Sequence, residues 1–188
     1  MLTDLPNLLT LSRIAAIPVL VALIAIRTPT ANFLACIVFS AAAITDYLDG
    51  YLARGRRQIS DIGRMLDPIA DKLLLSTLFL VLTHMNLVPR YVTVLVFSRD
   101  FGILLISTLL FATGTLRDFR PSLLGKLNTV VQIFGLTVVL VAQVWPSVNA
   151  VLLRVALLKA IAYLAPLSAA QYAWIVFRRV SSPEPQAI

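Results

Sequence analysis

Carboxylates gather in one short stretch of an otherwise apolar chain. Five of the nine acidic residues of this 188-residue sequence lie between Asp46 and Asp71. On a helix, Asp46 and Asp49 share one face, and Asp67 and Asp71, at i and i+4, share a face of the next element. Like charges in an apolar setting repel one another and favour protonation. Divalent cations would relieve that repulsion, so the spacing indicates a metal site.

The residues around the carboxylates indicate which ligand the site takes. Oxygen donors with no nearby His or Cys favour magnesium, manganese or calcium over zinc or copper. Gly50 and Ala53 share a helix face with the first carboxylates and leave a gap where a bulky ligand can approach the backbone. Arg54 follows as a phosphate partner. Together these features indicate a diphosphate substrate.

The composition is that of a membrane protein with one domain. Hydrophobic residues make up 59% of the chain, charged residues 13%, and the mean hydropathy is +0.90. Soluble domains carry about 25% charged residues. The net charge of +7 comes without a basic patch interleaved with solvated aromatic residues, so we expect no nucleic-acid partner. Basic loops beside anionic membrane lipids account for it better.

Six apolar segments predict an all-α integral membrane protein with six transmembrane helices. They span residues 7–26, 28–45, 73–88, 91–116 with a charged interruption, 127–153 and 160–177. We expect one catalytic transmembrane domain over residues 1–180 and a disordered tail over residues 181–188.

Lysine and arginine predict the orientation. With both termini cytoplasmic, the inner side holds Arg54, Arg56, Arg57, Arg64, Arg117, Arg120, Lys126, Arg178 and Arg179, and the outer side holds Arg27 and Arg90. Asp46 and Asp71 then lie at matching depths, about 12 Å and about 10 Å from the cytoplasmic end at ~1.5 Å per residue. Arg154 and Lys159 fall toward the outer half of the sixth span, where they can snorkel.

Polar residues elsewhere in the spans are candidates for binding the second substrate. Lys126 and Thr129 lie on one stripe at the inner end of the fifth span, with Gln132 close by, and we assign them to the substrate cavity rather than to interhelical contacts alone. Arg99 interrupts the fourth span, where it either serves packing or binds an acceptor phosphate. Arg13, at the inner end of the first span, is a further candidate for that phosphate.

The motif resembles the signature of the CDP-alcohol phosphatidyltransferases. The pattern Asp-x2-Asp-Gly-x2-Ala-Arg-x8-Gly-x3-Asp-x3-Asp, starting at Asp46, matches without a departure. The likeness extends over nearly the whole chain and is greatest to the branch that contains phosphatidylglycerophosphate synthases and cardiolipin synthases of the CDP-alcohol type. Ser98-Arg99-Asp100 is similar to the cardiolipin enzymes, which leaves the acceptor open.

The resemblance implies roles for the motif residues. Asp46, Asp49, Asp67 and in part Asp71 would hold two divalent cations, Mg²⁺ or Mn²⁺, and Asp71 would also be the general base. The CDP-linked donor would be bound by Asp49, Gly50, Ala53, Arg54 and Gly63. The enzyme would move a phosphatidyl group from CDP-diacylglycerol to glycerol 3-phosphate or phosphatidylglycerol and release CMP. It also implies a homodimer. Short loops and a compact chain favour a bacterial inner membrane, with the active site facing the cytoplasm.

Three alternatives remain at this stage. The same chemistry could serve another alcohol, such as inositol phosphate or serine. A divalent-cation transporter would explain the carboxylates but not Gly50, Ala53 and Arg54. A purely structural role would make the aspartates ion-pair partners of basic residues at the same depth, for which Lys72 is the candidate.

Overall fold

The computed structural model describes residues 5–53, 61–112 and 123–181, with side chains for 11–45, 72–110, 112 and 123–181 except residue 179. Within these ranges the fold is all-α and consists of six helices. They are α1 (Leu5–Ile26), α2 (Pro29–Ala53), α3 (Asp61–His84), α4 (Arg90–Ala112), α5 (Leu123–Val144) and α6 (Val148–Ser181).

Local signals set the ends of the helices. Pro29 occupies the first position of α2, and the Thr28 hydroxyl caps that helix by accepting the Ala31 N–H at 3.3 Å. At the end of α3, Asn86 adopts a left-handed φ of 58°, and the Leu87 N–H reaches back to the Leu82 carbonyl at 2.8 Å. This closure ends the helix while satisfying its last carbonyls.

The fifth and sixth helices differ from the predicted spans. The fifth predicted span continued to residue 153 and the sixth began at residue 160, whereas α5 ends at Val144 and α6 begins at Val148. The Ser147 hydroxyl accepts the Ala150 N–H at 3.1 Å and caps the new helix. Residues 148–153 are apolar apart from Asn149, so hydropathy carried the fifth span past the break, although Trp145-Pro146-Ser147 predicts a break where α5 ends and α6 begins. The predicted tail overlaps α6 at Ser181, and its remainder, 182–188, lies outside the described residues.

The helices form a closed ring. Among the described residues, α1 packs on α2 and α3, α5 packs on α2 and α6, and α4 packs on α6 and α3. Helix α5 also contacts α3 across the ring. All six helices contribute to one core, whose buried members include Leu20, Ile24, Phe39, Phe79, Leu82, Val92, Leu136, Leu140 and Ile161. The helices that carry the aspartates, α2 and α3, therefore both touch α1 and α5.

Close approach of α5 and α6 depends on a small residue. A Cβ added to Gly135 would lie 2.8 Å from Cδ1 of Ile161, too near for an ordinary contact. Any larger side chain at position 135 would push the two helices apart or force the isoleucine to move.

The described parts of all six helices are apolar. Among them, Arg90–Leu110, Leu123–Val144 and Val148–Arg178 are long and apolar enough to cross a membrane. In α1, α2 and α3, the stretches with described side chains, Leu11–Ile26, Pro29–Thr45 and Lys72–His84, are also apolar. Large apolar side chains such as Phe101 (66% exposed) and Leu152 (63% exposed) lie on the outer surface. These features agree with a membrane protein, and the count of six spans stays a prediction.

Candidate functional site

The sequence motif lies on the two helices that the spacing predicts. Asp46, Asp49, Gly50 and Ala53 fall in the last two turns of α2, and Gly63, Asp67 and Asp71 fall in the first half of α3. Arg54 and the side chains of the other motif residues lie outside the described part. The described side chains contain no group of three potential metal ligands, and the four aspartates are not among them. The metal assignment therefore stays a prediction about these positions.

Helix α1 packs on both α2 and α3, the helices that carry the aspartates. Positions along α2 and α3 can therefore be compared from a common end of the bundle. At the far end of the bundle, Arg27 Nη2 donates to Met85 Sδ across 3.0 Å, and Thr28 follows directly. Asp46 lies eighteen residues after Thr28 along α2, and Asp67 lies eighteen residues before Met85 along α3. At ~1.5 Å per residue, both backbone positions lie about 27 Å from that end. Two carboxylate positions on different helices are thus at the same level.

Counting residues from the same end of the bundle places the buried Arg13 at the level of Asp71. Helices α1 and α3 run parallel, since they pack on each other and Arg27 and Met85, which follow their C-terminal ends, are in contact. Arg13 lies fourteen residues before Arg27, as Asp71 does before Met85, and its side chain is only 2% exposed. A buried guanidinium is therefore level with the predicted general base, although its role toward an acceptor phosphate stays a prediction.

Helix α5 brings two buried amides to the level of the motif. The Phe33 and Trp145 rings meet edge to face, with centroids 6.3 Å apart, where α2 begins and α5 has just ended. The two helices run antiparallel from this point. Gln132 and Asp46 each lie thirteen residues away from it, and Asn128 and Gly50 each lie seventeen. Gln132 is thus about level with Asp46, and Asn128 with Gly50.

These amides are buried with incomplete hydrogen bonding to the described residues. Asn128 is 0% exposed and Gln132 is 1% exposed. Neither Oδ1 nor Nδ2 of Asn128 has a hydrogen-bond partner within the described ranges, and the same holds for Nε2 of Gln132. Leaving such a group unpaired costs about 1–3 kcal/mol. Amides kept at that cost, level with a predicted substrate site, are suited to bind a polar ligand.

Sequence reasoning noted Gln132 but missed Asn128. The predicted stripe ran through Lys126 and Thr129, whereas the buried face of α5 runs through Gly125, Asn128 and Gln132. Lys126 is exposed, and Thr129 is half-buried with its hydroxyl donating to the Gly125 carbonyl at 3.2 Å. The i, i+3, i+7 spacing of a small residue and two amides was the available signal. Acceptor binding by Lys126 and Thr129 stays a prediction.

A polar network ties α3 to α4 and α6 next to the motif. Lys72, which follows the predicted base in sequence, places Nζ 2.7 Å from Oδ2 of Asp100. Asp100 also pairs with Arg99, whose Nε donates to the Ser168 hydroxyl at 3.0 Å. Ser168 is 0% exposed and donates to the Ala165 carbonyl. These contacts give Arg99 a packing role, and its predicted contact with an acceptor phosphate stays open to test.

Lys72 bears on the structural alternative for the aspartates. That alternative required Lys72 as a partner for motif carboxylates, yet its ammonium pairs with Asp100 of α4. Only one carboxylate, Asp100, occurs among the described side chains. The lysine therefore serves the α3–α4 contact.

Comparison with known proteins matches this chain to one family. The family model described as CDP-alcohol phosphatidyltransferase matches residues 3–167. A protein of Rickettsia bellii named CDP-diacylglycerol–glycerol-3-phosphate 3-phosphatidyltransferase is 38% identical over 141 residues, covering 74% of this chain and 76% of its own. A protein of the same name from Bacillus subtilis is 32% identical and covers 73% and 76%. The cardiolipin synthase (CMP-forming) of Rattus norvegicus is 33% identical over 169 residues, covering 80% of this chain and 54% of its own.

Proposed function

The chain belongs to the CDP-alcohol phosphatidyltransferase family, and we propose that it transfers the phosphatidyl group of CDP-diacylglycerol to glycerol 3-phosphate. The observation that carries the proposal is the family match over residues 3–167, which includes the complete motif from Asp46 to Asp71. The names of the Rickettsia bellii and Bacillus subtilis relatives support glycerol 3-phosphate as the acceptor.

Phosphatidylglycerol is the second candidate acceptor. Ser98-Arg99-Asp100 is similar to the cardiolipin enzymes, and a relative named cardiolipin synthase covers 80% of this chain. The two candidates share a glycerol hydroxyl as the attacking group, so they require the same chemistry. They differ in the room that the acceptor needs.

We infer that this chemistry divides between metal-holding carboxylates and one base. Asp46, Asp49 and Asp67 supply hard oxygen donors suited to two Mg²⁺ or Mn²⁺ ions, which would neutralise the diphosphate when bound. Asp71 accepts the proton of the acceptor hydroxyl. The acceptor oxygen forms a bond to the phosphorus that carries the diacylglycerol, and the bond from that phosphorus to the CMP oxygen breaks. Gly50, Ala53, Arg54 and Gly63 line the donor pocket in this proposal.

The proposed placement in the membrane follows from the distances of the aspartates along their helices. Asp46 and Asp67 lie about 27 Å along their helices from the end that holds Arg27 and Met85, near the opposite surface of a hydrocarbon core about 30 Å thick. The predicted bias of basic residues puts that opposite surface on the cytoplasmic side. We propose six spans with both termini cytoplasmic, in a bacterial inner membrane, and a homodimer as in the family resemblance.

Release of CMP by the purified protein tests the proposed function. We expect release from CDP-diacylglycerol when glycerol 3-phosphate and Mg²⁺ or Mn²⁺ are present, and none when the metal is chelated. Parallel reactions offer phosphatidylglycerol, inositol phosphate or serine. Release with phosphatidylglycerol alone would instead identify a cardiolipin synthase. No release with any alcohol would contradict the proposal and leave the cation-transporter alternative, which metal uptake into vesicles measures directly.

The buried amides of α5 yield a prediction about the acceptor. A carboxamide both donates and accepts hydrogen bonds, and so does a glycerol hydroxyl, so we assign Asn128 to an acceptor hydroxyl. Asn128→Leu keeps the branched shape of the side chain and removes an amide without hydrogen-bond partners among the described residues, a state that costs about 1–3 kcal/mol. We expect kcat/KM for the acceptor to fall at least about tenfold, equivalent to about 1.4 kcal/mol, while the melting temperature holds or rises.

Thr137→Val is the matched control for that variant. Thr137 lies on the same helix, two to three turns away, and its hydroxyl already donates to the Ile133 carbonyl at 2.9 Å. We expect kcat/KM for the acceptor in this variant to remain within about twofold of wild type. The substitution conserves shape and lies away from the site, and such substitutions have small effects. A fall in melting temperature with unchanged acceptor kinetics in Asn128→Leu would show that the amide is structural.

A further inference from the structure

A polar cavity lies at the end of the bundle opposite the motif. It has a volume of about 210 Å³ and is lined by the α3–α4 connection, the first turn of α4 and part of α6. Its polar lining comprises Asn86, Arg90, Tyr91, Arg154 and Lys159. Arg154 and Lys159 belong to α6, and Arg90 begins α4. Three basic side chains from two helices therefore converge on one space.

The described side chains offer these three cations no carboxylate. Asp100 is the only described carboxylate, it does not line the cavity, and it pairs with Lys72 and Arg99. Along α4, Asp100 lies ten residues from Arg90, or about 15 Å. The motif positions are farther away, since Asp46 lies about 27 Å from this end of the bundle along α2. Within the described side chains, the cavity thus concentrates positive charge without a carboxylate.

Burial makes that charge costly. Arg154 is half-buried, and its Nε is inaccessible to solvent and has no hydrogen-bond partner among the residues described. Arg154 lies six residues into α6 and Lys159 eleven, or about 9 Å and about 16 Å from its start. Intramembrane basic groups are expensive and usually meet an opposite charge. The positive-inside bias does not explain Arg154 and Lys159. It favours basic residues on the cytoplasmic side, and these two lie toward the opposite end of the bundle.

The remaining lining narrows the class of ligand. The first turn of α4 presents backbone N–H groups and the positive end of a helix dipole, which favour an anion. Val155 and Leu158 add an apolar wall beside the basic groups. We propose that this cavity is a second phosphate-binding site, separate from the transfer site, and that it takes a phosphate group flanked by apolar atoms. An anionic phospholipid headgroup in the adjacent leaflet has that chemistry, and free phosphate shares its charge.

Thermal unfolding of the full-length protein in detergent tests the site. The probes are mixed micelles containing phosphatidylglycerol, mixed micelles containing zwitterionic phosphatidylcholine, and inorganic phosphate without added lipid. We expect phosphatidylglycerol to raise the melting temperature of the wild type by about 4 °C or more, and phosphatidylcholine to leave it unchanged. Arg154→Gln should lose most of the shift, since it removes the buried cation and keeps much of the side-chain length.

Arg27→Gln controls for general charge at the same end of the bundle. Arg27 does not line the cavity, so its variant should keep the full shift. Lys159→Gln is the second variant, because Lys159 is exposed and its loss should leave folding intact even if Arg154→Gln does not fold. A shift with inorganic phosphate as large as that with phosphatidylglycerol would identify free phosphate as the ligand.

Two results would overturn the proposal. One is an equal phosphatidylglycerol shift in the wild type and in both cavity variants, which would locate lipid binding elsewhere, including the transfer site. The other is no shift with either anionic probe. Neither result depends on release of CMP, so failure of this site is distinguishable from failure of the proposed function.

Discussion

Asp71→Asn is expected to lower kcat by about 10²–10⁴-fold, the range that one general base supplies. The asparagine keeps the size of the side chain but cannot accept the proton of the acceptor hydroxyl at neutral pH. Position 71 lies in α3, level with the buried Arg13 and one residue before Lys72. The substitution should therefore leave KM for CDP-diacylglycerol within about threefold of wild type, since it removes an interaction made in the transition state.

The measurement is steady-state CMP release at saturating metal, with each substrate varied in turn. Asp61→Asn is the matched control, because Asp61 begins the same helix at a position that the motif leaves variable and asparagine suits a helix N-terminus as well as aspartate. That control should keep wild-type rates. A kcat for Asp71→Asn within about fivefold of wild type would contradict the general-base assignment, which predicts the larger loss above.

Asp67→Ala should weaken metal binding more than about 100-fold, beyond the effect of losing an outer-shell partner. Asp67 and Asp46 lie at the same level on two helices, so each is expected to contribute oxygen ligands to the same ions. With one donor removed, CMP release should fall toward background at metal concentrations that saturate the wild type. Excess Mn²⁺ should restore part of the rate, because the remaining donors still bind the ion weakly.

Electron paramagnetic resonance of free Mn²⁺, titrated with purified protein, measures the affinity without relying on activity. Asp61→Ala removes the same charge from the same helix and should bind Mn²⁺ as the wild type does. Equal Mn²⁺ affinity in Asp67→Ala and in the wild type would remove Asp67 from the ligand set. An inactive Asp67→Ala with unaltered Mn²⁺ affinity would assign the residue to substrate instead.

The predicted transfer site and the basic cavity lie at opposite ends of the bundle. The first is built from carboxylates on α2 and α3, and the second from cations on α4 and α6. Helices α3 and α4 are joined by the segment that lines the cavity, and Lys72 and Asp100 link the same two helices nearer the motif. A phosphate bound in the cavity would therefore stabilise the α3–α4 pair that positions Asp71.

The family and the all-α class were readable from the sequence by itself. Both depend on spacing along the chain: the motif is a fixed series of residue types, and apolar segments of about 20 residues predict helices whatever their neighbours are. The metal and base roles of the aspartates rest on that spacing and on the family, and they remain predictions. The break between α1 and α2 was also predicted from the sequence, at Thr28-Pro29.

Only the tertiary structure decided which face of each helix is buried. A helix that is apolar over most of its surface carries a weak periodic signal for its inward side. On α5 the prediction followed Lys126 and Thr129, whereas the structure buries Asn128 and Gln132. The bounds of the fifth and sixth spans, 127–153 and 160–177, were wrong because hydropathy carried the fifth span past Ser147, whereas the break predicted at Trp145-Pro146-Ser147 is confirmed. Contacts between residues far apart in sequence, such as Arg99 with Ser168, depend on how the helices close into a ring, and no local pattern encodes that closure.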